Sequence, residues 1–138
     1  MKKILALLLA ITSLFLFAAC GSGISGKEAK ACADEFFNYI SEEKYTEAQA
    51  LFHPDIVIDG HLENLFLHIK DSTGADIKNG FSVKYTGFQS SLYDTEYGGS
   101  HYALDGIIEI DGQPFELEIE FIKRNEAFGI YNFDIDID

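Results

Sequence analysis

The spacing of apolar residues changes along this chain from a helical period to a strand period. In residues 27–41 apolar side chains recur every three or four positions, which predicts an amphipathic helix. The same spacing continues through residues 45–52, where Pro54 ends it, and returns in residues 61–69 after the turn signal Asp59-Gly60. The pattern therefore predicts three helices in the N-terminal half.

After residue 80 apolar and polar side chains alternate, which predicts β-strands. The alternation in residues 81–93 changes phase at Gly87, where we expect a bulge. Asp111-Gly112 suits a two-residue type I′ turn that pairs Ile110 with Gln113. This register predicts one core face made of Tyr102, Leu104, Ile108, Ile110, Phe115, Leu117, Ile119 and Phe121.

The last connection is predicted as a three-residue loop over 124–126, because this loop keeps apolar and polar residues on separate faces. It pairs Lys123 with Ala127 and Leu117 with Phe133, and it leaves Ile130 on the outer face. The core face of the last strand would then carry Tyr131, Phe133, Ile135 and Ile137. A sheet with one apolar face needs a cover, so we predict an α+β domain over residues 27–138, with three N-terminal helices packed on a curved four-stranded antiparallel sheet.

The first twenty residues have the order of a secretory signal: two lysines, an apolar run over 4–17 and the small pair Ala18-Ala19. An uncleaved membrane helix is the alternative, but the run is shorter than the roughly 20 residues that a span needs. Phe17-Ala18-Ala19-Cys20 resembles the lipobox of bacterial lipoproteins. The resemblance implies that residues 1–19 are removed and that Cys20 is diacylated.

Such a lipid would hold the protein on the extracytoplasmic face of the cell membrane. Gly21 after Cys20 resembles no inner-membrane retention signal, so a cell with two membranes would carry the protein on the outer membrane. Residues 20–26 are predicted to form a flexible tether, whose six residues after Cys20 reach roughly 13 to 15 Å.

The net charge of the chain narrows the classes of molecule that it can bind. Removal of residues 1–19 takes away two of the ten Lys and Arg residues and none of the 23 Asp and Glu residues, so the formal charge of the mature chain is −15. Scattered cations in such a chain argue against nucleic acid, and the charge opposes contact with anionic lipid. If Cys20 carries lipid, Cys32 has no disulfide partner, and its neighbours indicate a small packed residue.

The passage from Phe36-Phe37-Asn38-Tyr39-Ile40 to Leu51-Phe52 resembles the opening of NTF2-like domains in small bacterial lipoproteins, and 128–133 resembles their last strand. The order of elements is similar to the NTF2-like and cystatin-like cone folds. This resemblance implies a curved sheet around a helix, often with a cavity at the open end. In enzymes of the family that cavity holds an Asp or His base. Here the strand acids fall on the predicted outer face, so no catalytic residue and no cofactor are predicted.

Three functions are open, and one of them is a purely structural or immunity-type lipoprotein that blocks another protein. The first is a non-enzymatic module that binds a small apolar ligand in the cone, or binds an envelope protein or a second copy through an outer patch. That patch would contain His101, Ile122, Phe128 and Ile130, unless another element covers it. The alternative is a small enzyme with a base drawn from His61, His68 or Asp55 at the cavity mouth.

No metal site is predicted. His61 and His68 lie seven residues apart, or roughly 10 Å along a helix, which is too far for two ligands of one ion. The acidic runs Glu116-Glu118-Glu120 and Asp134-Asp136-Asp138 leave calcium binding open, although a solvated face is the simpler interpretation. The register places Glu116 across from Asp134. His53 is interpreted as an imidazolium at a helix end, where it would complement the dipole.

Overall fold

The computed structural model describes residues 23–58, 60 and 62–138 of the chain. Within these residues the helices α1 Gly26–Ser41, α2 Tyr45–Gln49 and α3 Leu62–Thr73 and a 3-10 turn at Ile77–Asn79 precede the strands β1 Phe81–Asp94, β2 Gly99–Ile110, β3 Gln113–Arg124 and β4 Ala127–Asp136. The strands form one antiparallel sheet in the order β1-β2-β3-β4. The α+β class with a four-stranded antiparallel sheet is therefore confirmed.

The helices differ from the predicted ranges mainly at their C-terminal ends. Helix α1 agrees closely, and the Ser25 side chain caps it by accepting a hydrogen bond from Glu28 N at 3.1 Å. Helix α3 continues beyond the predicted residue 69 to Thr73, where Gly74 adopts a φ of 80° and ends it. None of the helices among the described residues combines the length and apolarity that a membrane span requires.

Helix α2 is shorter than predicted, because Leu51 and Phe52 leave it to pair with the edge of the sheet. Ile130 N donates to Leu51 O at 3.0 Å, and His53 N donates to Ile130 O at 2.9 Å. Residues 51–53 thus run parallel to β4 for one bridge, between Phe52 and Ile130. The segment covers part of an edge that would otherwise expose unpaired main-chain groups.

The predicted β2–β3 hairpin is confirmed. Ile110 pairs with Gln113, and both residues of the turn, Asp111 and Gly112, have positive φ, as a type I′ turn requires. The bulge in β1 is also confirmed, since Tyr85 pairs with Gly106 and Gly87 with Asp105, which leaves Thr86 as the extra residue.

The predicted β3–β4 loop is wrong. Arg124 pairs with Ala127, so the loop has the two residues Asn125 and Glu126, both with positive φ. A register shift between Glu120 and Phe121 then makes Tyr131 the extra residue on β4. Beyond this bulge the apolar and polar residues of β4 again lie on separate faces of the sheet, so the bulge has the effect that was predicted for a longer loop. Consequently Leu117 pairs with Ile135 and not with Phe133.

Aromatic rings fill the space between the helices and the sheet. Phe36 in α1 lies 4.8 Å from Phe133 in β4, and Phe37 and Phe66 lie 6.0 Å and 6.4 Å from the same ring, measured between centroids. Phe36 and Phe66 are buried. The centre of the domain is therefore closely packed, and space for a ligand is to be expected only at its edges.

Candidate functional site

A groove of about 520 Å³ lies at the β4 edge of the sheet. Helix α3, residues 56–58 and 60, and β4 contribute its walls. The described residues that line it are Phe52, Ile56, Val57, Ile58, Gly60, Leu62, Asn64, Leu65, His68, Tyr131, Asn132 and Phe133. We call it the β4 groove. Its volume falls in the range typical of sites for small ligands.

The lining of the β4 groove is apolar with a few uncharged polar groups. Val57 at the groove is 91 % exposed. Asn64, His68 and Asn132 supply hydrogen-bonding groups. No Asp, Glu, Lys or Arg is present among the described lining residues, although the chain as a whole is strongly acidic. The described part of the lining is therefore mainly apolar.

His53 holds the segment that leads into the β4 groove. The ring is 1 % exposed; Nδ1 accepts a hydrogen bond from Asp55 N at 3.1 Å, and Nε2 lies 3.1 Å from Arg124 O. A neutral ring with its proton on Nε2 satisfies both contacts. The predicted position of His53 at a helix end is wrong, because α2 ends four residues earlier and the ring connects residues 53–55 with the end of β3.

The four residues of the predicted outer patch do not share one exposed surface. Ile130 belongs to the buried core, because the two-residue loop turns it inward opposite Phe121. Phe128 packs on Phe121, with centroids 5.8 Å apart. Ile122 pairs with His101 on the outer face as predicted, but it is fully buried. The alternative that this patch is covered agrees with the structure.

Tyr97, in the β1–β2 connection, lies over that covered region. Its ring stacks on His101 with centroids 4.0 Å apart and meets Tyr131 edge-on at 5.1 Å. Its hydroxyl donates to Glu120 Oε1 at 3.2 Å, and His101 Nε2 lies 3.0 Å from the same oxygen. Burial and the Glu120 carboxylate raise the pKa of Tyr97 to about 12. The residues that Tyr97 contacts lie on three different strands, so no local pattern in the sequence indicates that Tyr97 covers this region.

The outer face carries carboxylates side by side across three strands. Glu118 pairs with Asp105 on β2 and with Asp134 on β4, so the predicted pairing of Glu116 with Asp134 is wrong; Glu116 pairs with Asp136. Burial, followed by the charges of Glu120, Asp105 and Asp134, raises the pKa of Glu118. Within the described part of the chain no group of three or more His, Cys, Asp or Glu side chains is arranged to hold a metal ion.

The two described candidate bases, His68 and Asp55, are both exposed. His68 lines the β4 groove but is exposed, and Asp55 is exposed and forms an ion pair with Arg124 at 3.2 Å. A general base needs a second group that orients it or shifts its pKa. His61 and Cys20 lie outside the described residues. Burial raises the pKa of Cys32 to about 12, which is the property of a packed thiol and not of a nucleophile.

Comparison of the chain with protein-family models, with curated proteins and with solved structures gave no match. The resemblance to lipoproteins and to NTF2-like domains therefore stays a prediction from the order and spacing of residues.

Proposed function

We propose that this protein is a lipid-anchored extracytoplasmic binding module, with Cys20 as the anchor and the β4 groove as the ligand site. The observation that carries the binding role is the lining of the groove, where the exposed Val57 and several partly buried apolar side chains line a cleft with no described charged side chain. The observation that supports the anchor is the order of charged, apolar and small residues before Cys20.

The charge of the chain narrows the class of ligand. A formal charge of −15 after removal of the leader disfavours an anionic ligand. A cation would find no described carboxylate in the groove to pair with. An uncharged apolar molecule, with one polar group within reach of Asn64, His68 or Asn132, fits both constraints.

A small enzyme of the NTF2-like type is the second candidate, favoured only by the imidazole of His68 at the groove. Exposure of His68 and the absence of a described carboxylate in the lining weigh against it. His68→Gln distinguishes the two candidates, because an enzyme that uses this imidazole as its base would lose turnover, whereas a binding module with this substitution has no turnover to lose and keeps its ligand affinity to within a few fold.

The binding role can be tested by energy transfer, since the chain has no Trp. Val57→Trp places a single donor at the groove, and Ile107→Trp places a matched donor on the outer face of β2. The acceptor is N-phenyl-1-naphthylamine, which is uncharged and apolar. The processed chain with Cys20→Ser keeps lipid out of the measurement. We expect transfer in the Val57→Trp variant and little in the Ile107→Trp variant, while equal transfer in both would refute a specific groove site.

A further inference from the structure

Three large apolar side chains near the C-terminal end of β1 are exposed. Phe88 is 65 % exposed, Leu92 77 % and Tyr93 70 %. Single exposed apolar residues are ordinary, but three within six residues of one edge strand form a patch, and such patches mark contact surfaces. We call Phe88, Leu92 and Tyr93 the β1 apolar surface.

The β1 apolar surface lies where the described chain begins. Gly23 packs so closely on Leu92 that a Cβ added to Gly23 would lie 2.9 Å from Leu92 Cδ2. Ile24 packs against the core, and Ser25 caps α1. Residues 23–25 thus follow the surface of the domain, and they add little length between the domain and an anchor at Cys20.

Covalent geometry brings Cys20 close to this surface. Cys20 precedes Gly23 by three residues, and consecutive Cα atoms are about 3.8 Å apart, so the two Cα atoms lie within about 11 Å of each other. If acyl chains on Cys20 enter a bilayer, the lipid–water interface is therefore within reach of Leu92.

We propose that the β1 apolar surface docks onto the bilayer that holds the acyl chains of Cys20 and so fixes the orientation of the domain. This inference rests on the anchor in the proposed function. We choose the membrane as the partner of this surface because the chain between Cys20 and Gly23 is short. The bilayer that holds the acyl chains would therefore be the nearest large apolar phase. Phe and Tyr side chains also suit the interfacial layer of a bilayer, and a second contact strengthens the anchoring that acyl chains provide.

The charges near the β1 apolar surface agree with this orientation. Lys27 and Lys30 on α1 are exposed and line a depression of about 790 Å³ together with Phe88 and one carboxylate, that of Asp34, which accepts a hydrogen bond from the Tyr85 hydroxyl. Their long side chains can reach lipid phosphates while their stems cover apolar surface. The row of carboxylates centred on Glu118 lies on the opposite face of the sheet, because Phe88 pairs with the core-facing Leu104. Docking by this surface therefore keeps that acidic row away from anionic lipid.

Quenching by brominated lipid tests the proposal on the full lipidated chain. Leu92→Trp provides a single reporter in the β1 apolar surface, and Ile107→Trp provides the matched reporter on the outer face. Each variant is expressed with its leader, purified and reconstituted in vesicles of phosphatidylethanolamine and phosphatidylglycerol that contain a phosphatidylcholine brominated near the headgroup. We expect the indole emission of the Leu92→Trp variant to shift to the blue and to lose most of its intensity, with little change for the Ile107→Trp variant.

Three other outcomes separate the ways in which the idea can fail. If the chain does not float with the vesicles, and its mass lacks the acyl groups, the proposed anchor fails. If the chain floats with the vesicles but the Trp emission of both variants is only weakly quenched, to the same extent, the lipid anchor is supported and docking is refuted. If the emission of the Leu92→Trp variant shifts to the blue without quenching, the surface is covered by a second copy or another protein, which also refutes docking. Phe88→Trp repeats the measurement at a residue away from Gly23, so a local disturbance at Leu92 does not decide the result.

Discussion

Gly129 in β4 lies directly against the main chain of His53, with no space for a side chain between them. A Cβ at Gly129 would lie 2.4 Å from His53 N and 2.6 Å from His53 Cα. These are main-chain atoms held by the hydrogen bond from His53 N to Ile130 O. The contact fixes the segment that leads into the β4 groove.

Gly129→Ala should therefore destabilise the domain, because the added methyl group forces the two main chains apart. We expect a loss of about 1–3 kcal/mol in the free energy of unfolding, the range typical of overpacking. Urea denaturation followed by circular dichroism measures it. The matched control is Gly87→Ala, where a Cβ would meet only Asp105 Oδ2 at 3.9 Å and φ lies outside the left-handed region. A change at Gly129 no larger than at Gly87 would contradict the close contact.

Removal of the charge at Glu118 should stabilise the domain at neutral pH. The folded state raises the pKa of Glu118 above its ordinary value of 4.5, so the native state binds the proton more strongly and stability falls as pH rises through that range. Glu118→Gln removes this penalty. We expect a higher Tm at pH 7 and a gain that shrinks as pH falls toward the ordinary Glu pKa.

Salt provides a second check on Glu118, since this side chain is exposed and its repulsion with Asp105 and Asp134 is screened. The gain from Glu118→Gln should be smaller at high ionic strength. Glu109→Gln is the control, because Glu109 lies on the same face opposite Ser82 and Pro114 and has no cross-strand carboxylate. Equal gains from both substitutions at low salt would argue against the carboxylate row as the cause.

The hydroxyl of Tyr97 should stabilise the fold only while it is protonated. Burial and the Glu120 carboxylate raise its pKa from 10 to about 12, so its contribution is complete below pH 10 and is lost as pH rises through the folded pKa. Tyr97→Phe removes the hydrogen bond to Glu120 and should cost about 1 kcal/mol at pH 7. The difference in stability between the two proteins should narrow above pH 10. A difference that stays constant up to pH 12 would show that the stabilisation does not depend on the protonated hydroxyl.

A charge at the rim of the β4 groove should weaken ligand binding without affecting the fold. Val57 is 91 % exposed, so Val57→Glu removes little packing. Placing a carboxylate beside an apolar ligand should raise the Kd for N-phenyl-1-naphthylamine about tenfold, which corresponds to about 1.4 kcal/mol. The increase in probe fluorescence on titration measures the Kd. Ile107→Glu on the outer face is the charge-matched control and should leave the Kd unchanged.

Features determined by residues close together in the sequence could be predicted, and features that depend on distant residues could not. The β2–β3 register was predictable because Asp111-Gly112 specifies its turn through backbone conformation alone. The β3–β4 register was not, because a bulge at Tyr131 compensates for the shorter loop, and a pattern of faces does not distinguish the two arrangements. The misplacement of Ile130 on the outer face follows from that single error.

The features around the candidate site depend on contacts between distant parts of the chain. His53 reaches Arg124 across 71 residues, and nothing near His53 in the sequence indicates that partner. The β4 groove likewise joins α3 to β4, so its lining could not be listed before the two elements were positioned. Of the described groove residues, only His68 is among the candidate bases of the sequence analysis. Cys20 could be proposed as the anchor because the signal that precedes it is contiguous in sequence.

Methyl NMR tests the central claim, binding of an uncharged apolar ligand in the β4 groove, most directly. The processed chain with Cys20→Ser carries labelled Ile, Leu and Val methyl groups and is titrated with N-phenyl-1-naphthylamine. We predict saturable shifts at Val57, Leu62 and Leu65 and unchanged signals from Leu92 and Ile107. Shifts centred on Leu92, or no saturable shift at Val57, Leu62 and Leu65, would contradict the claim.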